Sequence, residues 1–160
     1  MQSLVTSLVL SRLDLFNCVL FGLPASSIRR PQTVQNAAAR LVFNIRRSDH
    51  VTDALICLHW LRVAERIRFK MAVMAFRSIH GLPPSYLHGF VPYHAERPGL
   101  RSASSQLLNC ASVGDRSFPV ADAEVWNDLP SHVTSAPSLS IFRNRLKTYL
   151  FNCSYPGIVI

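Results

Sequence analysis

Nucleotidyl transfer and metal-assisted phosphate hydrolysis need two or more carboxylates gathered around Mg²⁺. The chain has nine acidic residues and no Asp-Asp pair. Asp14, Asp49, Asp53, Asp115 and Asp128 fall at expected helix ends or on polar faces, where they read as caps and solvated charges. Six histidines and four cysteines raise zinc chemistry next. The tightest grouping, Cys57-x-His59 with His50 upstream, lacks the paired spacing of a structural zinc site. His94-Ala95-Glu96 matches half of a zinc-deaminase signature, without the Pro-Cys-x-x-Cys that must follow. No Gly-x-Ser-x-Gly elbow and no glycine-rich phosphate loop appears either. The expectation is a chain that is no enzyme on its own, with no catalytic residue, metal or cofactor.

The cations are better organised. Lys and Arg number 17 against nine acids, a net charge of +8 with a pI near 10.0, which favours polyanionic partners. All but Lys70 and Lys147 are arginine, whose planar fork binds phosphate bidentately and stacks on bases. Segment 29–77 holds ten cations against Asp49, Asp53 and Glu65, so +7 of the +8 lies there. Arg62, Arg66, Lys70 and Arg77 fall within an arc of about 80° on a helical wheel and would form a ridge. With Arg40, Arg46 and Arg47 they make the candidate nucleic-acid-binding set, a track along which each phosphate contact releases counterions. A solvated helix face whose long stems cover apolar neighbours gives the same pattern. Trp60 and Trp126 read as core or helix-end anchors, with stacking on a base as the alternative.

These residues need elements to hold them. Residues 3–22 read as a first helix through Leu4, Leu8, Ser11 and Cys18, with Leu13, Phe16 and Leu20, stopped by Gly22 and Pro24. A second helix is expected from Pro31 to about Ile45, burying Val34, Ala38, Leu41 and Ile45. Arg46 to Asp49 make a polar turn. A short helix over 52–60 follows, capped by Thr52 or Asp49. The helix over 63–80 carries two apolar stripes, Ile67, Met71 and Met74 beside Phe69, Val73 and Phe76, and ends at Gly81, Pro83 and Pro84. A brief helical turn over 85–90, a Pro- and Ser-rich linker over 91–105 and a stretch at 107–113 that admits one short strand come next. Helices over 118–127 and 139–151 close the chain, the latter with Phe142, Leu146 and Leu150 inward. The fold class expected is mainly α: an irregular helical bundle with a Pro-rich linker and at most a short strand or hairpin. The domains expected are a basic helical one over 1–90, the linker 91–105, a small mixed subdomain over 106–151 and a tail over 152–160.

Composition closes off other classes. Apolar residues make up 49% and charged residues 16%, which excludes a disordered chain. A mean hydropathy of +0.18 is high for 160 residues, so some apolar surface is expected to meet a partner or the rest of a longer chain. Arg12, Asp14 and Asn17 interrupt the apolar stretch 4–23, so no membrane span is expected. Scattered cysteines and the lack of a secretory signal point to a reduced intracellular setting, cytoplasm or nucleus, and not to secretion. A small-molecule substrate has no residues to receive it.

Several stretches, in order, carry a resemblance. They are Ser11-Arg12-Leu13-Asp14 with Gly22-Leu23-Pro24, and Val34-Gln35-Asn36-Ala37-Ala38-Ala39-Arg40-Leu41-Val42. Asp49-His50, Leu58-His59-Trp60-Leu61, Ile79-His80-Gly81-Leu82 and Pro84-Ser85-Tyr86-Leu87 follow. Leu100-Arg101-Ser102, Gly114-Asp115-Arg116-Ser117-Phe118, Trp126-Asn127-Asp128-Leu129-Pro130, Phe142 and Leu146-Lys147-Thr148-Tyr149-Leu150-Phe151 complete the series. It resembles the C-terminal region, downstream of the palm, of reverse transcriptases from animal non-LTR (LINE-type) retrotransposons, over about residues 5–152. The resemblance implies a truncated piece of an RNA-directed DNA polymerase whose catalytic aspartates lie upstream, with the rest of that enzyme and an RNA or DNA backbone as partners. Departures from the family pattern are Pro31, where an apolar helical residue is usual, Arg62, where proline commonly follows the Trp-Leu pair, and Leu15-Phe16, where an aromatic-Cys pair is typical. Two other readings stand beside it: a protein-interaction module built on the two-sided helix 63–80, and a transposable-element relic with no selected role.

Overall fold

The computed structural model of the protein describes residues 2–15, 20–81 and 118–157. Seven helices and no strand occur among the described residues: α1 (Gln2–Leu15), α2 (Ala25–Phe43), α3 (Thr52–Cys57), α4 (Val63–Ile79), α5 (Phe118–Asn127), α6 (Ser131–Thr134) and α7 (Leu139–Ser154). The fold is mainly α. The expected turn at 85–90, the linker at 91–105 and the candidate strand at 107–113 lie outside the described residues. The chain divides into two compact units, one of Met1–Arg68 with Lys147–Ile160, the other of Phe69–Leu146.

In the first unit α1 packs on α2, and α2 on α3. Ala38, Ala39, Ala54, Leu55, Trp60, Leu61, Val63, Ile67, Leu150, Phe151 and Tyr155 are buried. Helix α2 differs from expectation. It begins six residues before Pro31, and its buried face carries Gln35, Ala38 and Ala39. Val34 and Leu41, expected inside, are 52% and 60% exposed. The reason is a polar demand. Gln35 Nε2 donates to the Leu61 carbonyl (2.8 Å), and Gln32 Oε1 accepts from the Val63 amide (2.9 Å). Gln32 Nε2 donates to Gln35 Oε1 at 2.9 Å, which holds the two amides in register. Turning the apolar stripe inward would strand these groups, at about 1–3 kcal/mol each when buried.

Helix α3 is also shorter than expected. It ends at Cys57, and His59 takes a left-handed conformation (φ 52°) that turns the chain so that the Trp60 amide reaches back to Leu55 O at 2.9 Å. Its N-cap is Val51, with no side-chain hydrogen bond, so neither Thr52 nor Asp49 caps it. In α1, Leu4 and Leu8 are exposed although they belong to the expected stripe. Helix α4 starts at Val63 as expected and ends at Ile79, in a turn that includes Gly81, whose positive φ of 67° suits glycine.

The second unit is built on aromatic packing. Phe76 stacks on Phe142 with centroids 4.5 Å apart, Trp126 lies 5.8 Å from Phe142, and all three are at most 2% exposed. Such pairs add about 0.5–1.5 kcal/mol each beyond their buried area. Met71 and Phe76 are core residues. Helix α6, which no periodicity announced, follows Pro130 and buries Val133. Helix α7 begins at Leu139 with Phe142, Leu146 and Leu150 buried, as expected, and continues to Ser154.

Pro31 is the seventh residue of α2, beyond the first turn where proline is harmless. It removes the amide that would bond Ser27 O and crowds that carbonyl. Pro31→Ala is expected to raise stability by up to about 3 kcal/mol, read as a higher urea midpoint. Phe142→Ala is expected to lower it by about 3–5 kcal/mol in the same melt.

Candidate nucleic-acid interface

Three of the candidate arginines gather at the end of α2. Asn44 adopts the left-handed conformation (φ 52°) and closes the helix with its amide on the Arg40 carbonyl, which Ile45 N also reaches at 3.0 Å. Asparagine tolerates this conformation better than most residues. The chain then enters a turn in which Asp49 N bonds Arg46 O at 3.2 Å, and Arg46 and Arg47 stand exposed on it. Arg40 is half-buried and donates from Nη2 to the Asp49 carbonyl at 3.3 Å, tying the turn to the helix. Three of the expected site residues thus meet at one place: Arg40 as the brace, Arg46 and Arg47 as the presented charges.

The ridge on α4 has a different fate. Arg66 forks onto Asp14 of α1, Nε to Oδ1 at 2.5 Å and Nη2 to Oδ2 at 2.9 Å, with the two side chains only 18% and 22% exposed. Its guanidinium is committed to a carboxylate, in the bidentate geometry arginine would otherwise offer a phosphate. Arg62 is exposed, with its guanidinium carbon 5.3 Å above the centre of the Tyr155 ring. That placement is a cation–π contact made by a side chain that remains exposed. Within the second unit, Lys70 is exposed and Arg77 half-buried on α4. Arg29 and Arg30, exposed on α2, belong to the basic segment but were not singled out by spacing.

Tyr155 anchors Arg62. Its ring is 3% exposed, and its hydroxyl donates to the Trp60 carbonyl at 2.8 Å. Burial pushes its phenol above the usual tyrosine range, partly offset by the charge and hydrogen bond of Arg62. Trp60 and Trp126 are 5% and 2% exposed, so neither offers a face to a base. Among the described residues no group of three or more His, Cys, Asp or Glu stands together to hold a metal ion. No helix among them is long and apolar enough to cross a membrane.

No protein-family model, curated protein or solved structure matches the chain. The arrangement itself is therefore what carries a functional reading. It comprises ten cations against four acids in the first unit, one of those acids spent on Arg66, with Arg46 and Arg47 held out on a braced turn. Asp14 and Tyr155 were invisible as partners because they lie 52 and 93 residues from the arginines they meet. No local period links such positions.

A raised phenol pKa means the folded state holds its proton where the unfolded chain has released it. Tyr155 therefore contributes stability that is fully present below about pH 10 and lost as pH rises through the folded value. Urea midpoints are expected to be flat from pH 7 to 9 and to fall above about pH 10. Tyr155→Phe should remove much of that alkaline decline and lower stability at pH 7 by about 1–3 kcal/mol, because the buried Trp60 carbonyl loses its donor.

Proposed function

We propose that the chain is a non-catalytic piece of the C-terminal region of a non-LTR retrotransposon reverse transcriptase, and that it grips template RNA or target DNA by the phosphate backbone. The observation that carries the binding half is the braced turn with Arg46 and Arg47 exposed on a unit rich in cations. Such a feature positions a backbone without reading bases, since phosphate contacts carry no sequence information directly. The ordered series of motifs from Ser11 to Phe151 supports the origin, with the polymerase aspartates left to the parent enzyme. In that context the remainder of the parent protein is the second partner. Arg62, exposed beside Tyr155, joins the contact set. Arg66 does not, because Asp14 already occupies its fork.

The test is fluorescence anisotropy of the full chain with a labelled single-stranded RNA across about 50–200 mM salt, where affinity should fall steeply. Each of Arg46→Ala and Arg47→Ala is expected to reduce the slope of log affinity against log salt by about 0.7. Arg66→Ala should leave that slope unchanged while lowering the urea midpoint. Affinity indifferent to salt, or an effect of Arg66→Ala larger than that of Arg46→Ala and Arg47→Ala, would overturn the proposal.

A further inference from the structure

Among the phenylalanine, tyrosine and tryptophan side chains described, one is exposed, and it stands beside the arginine turn. Phe43, the last residue of α2, is 44% exposed, whereas every other one is buried or half-buried. Two links place it there. Arg40 lies three residues before Phe43, about 60° away on the wheel, so the two side chains are neighbours on the helix. The Arg40 guanidinium reaches forward to the Asp49 carbonyl at 3.3 Å, so this is the side of α2 against which the turn folds. The chain is the second link. Asn44 turns it in the left-handed conformation and Ile45 N closes on Arg40 O at 3.0 Å. Three residues of chain then separate Phe43 from Arg46, a reach of at most about 11 Å. The exposed apolar residues Val34 and Leu41 lie about 160–180° round the helix from Phe43, so it belongs to no apolar face. Its neighbours along the chain are Asn44, Arg46 and Arg47, all exposed.

We infer that Phe43 is a stacking platform for a nucleic-acid base, and that the turn therefore takes single strands in preference to duplex. The inference rests on the proposed function and narrows its substrate. An exposed aromatic face set among arginines matches an unpaired strand, whose phosphates meet the cations while a base lies on the ring. In a duplex the base faces already cover one another, and Phe43 could reach one only by unstacking a step. A protein partner that covered the ring would have to seat its surroundings on exposed arginines and an asparagine, with no second large apolar residue on that side of α2. Stacking does not read base edges, so Phe43 adds affinity without adding sequence preference. Single-stranded RNA and DNA share both the base face and the phosphate, and this contact treats them alike.

The test is fluorescence anisotropy of the full chain with a labelled mixed-sequence RNA strand, a DNA strand of the same sequence and the corresponding DNA duplex, at about 100 mM salt. Phe43→Leu keeps an apolar side chain and removes the ring. It should weaken binding of both single strands at least about fivefold and leave the duplex and the urea midpoint unchanged. The slope of log affinity against log salt should also stay as it was, because no phosphate contact is lost. Phe43→Trp should bind single strands at least as tightly as the natural chain, and its fluorescence should be quenched by them beyond any change in the natural chain. An equal loss for strand and duplex, a loss confined to RNA, or no loss at all would overturn the inference. If Arg46→Ala and Arg47→Ala still reduce the salt slope in that case, the proposed function stands without it. Absence of salt-dependent binding to any of the three probes would overturn both.

Discussion

Two glutamine side chains decide where α4 begins. Gln32 accepts the amide of Val63, one of the first donors of α4 that no intrahelical carbonyl can reach, and Gln35 donates to Leu61 just before it. This is a helix cap supplied from another helix, and it fixes the rotation of α4 about its axis. Once Leu61 and Val63 are turned inward, Arg62 between them must point out, and Arg66 one turn further meets Asp14. The division of labour among the arginines follows from that brace. Without it, the same spacing would present a continuous basic ridge.

Periodicity located what depends on apolar burial within one segment. The start of α4 and the inward residues Phe142, Leu146 and Leu150 of α7 come from 3.6-residue spacing of large apolar side chains. It misplaced α2, because there the buried face is chosen by amide hydrogen bonds to a segment some thirty residues away. A wheel that counts apolar residues ranks Val34 and Leu41 above Gln35 and so turns the helix the wrong way. The stop of α3 at Cys57 was hidden for a similar reason. Nothing in His59 as a residue type announces a positive φ, which here lets Trp60 drop into the core.

The candidate site shows the same boundary. Net charge and its concentration in 29–77 could be counted from the residues alone, and the polar turn at Arg46 and Arg47 followed from composition. Which arginines keep their forks for a ligand could not be counted, since Asp14 and Tyr155 arrive from opposite ends of the sequence. A wheel places charges on a face but does not say which already have counter-ions. The exposed leucines of α1 belong to the same lesson: a helical period shows that a face exists, and only packing shows which of two faces was covered.

The fold spends Arg66 on Asp14, and under the proposed function Arg46 and Arg47 are the arginines that meet a phosphate backbone. Arginine Nε–H resonances, followed by NMR as a short single-stranded RNA is added to the isotopically labelled chain, test it side chain by side chain. Shifts at Arg46 and Arg47 with Arg66 unmoved are the predicted result. A shift at Arg66 with Arg46 and Arg47 silent would contradict it.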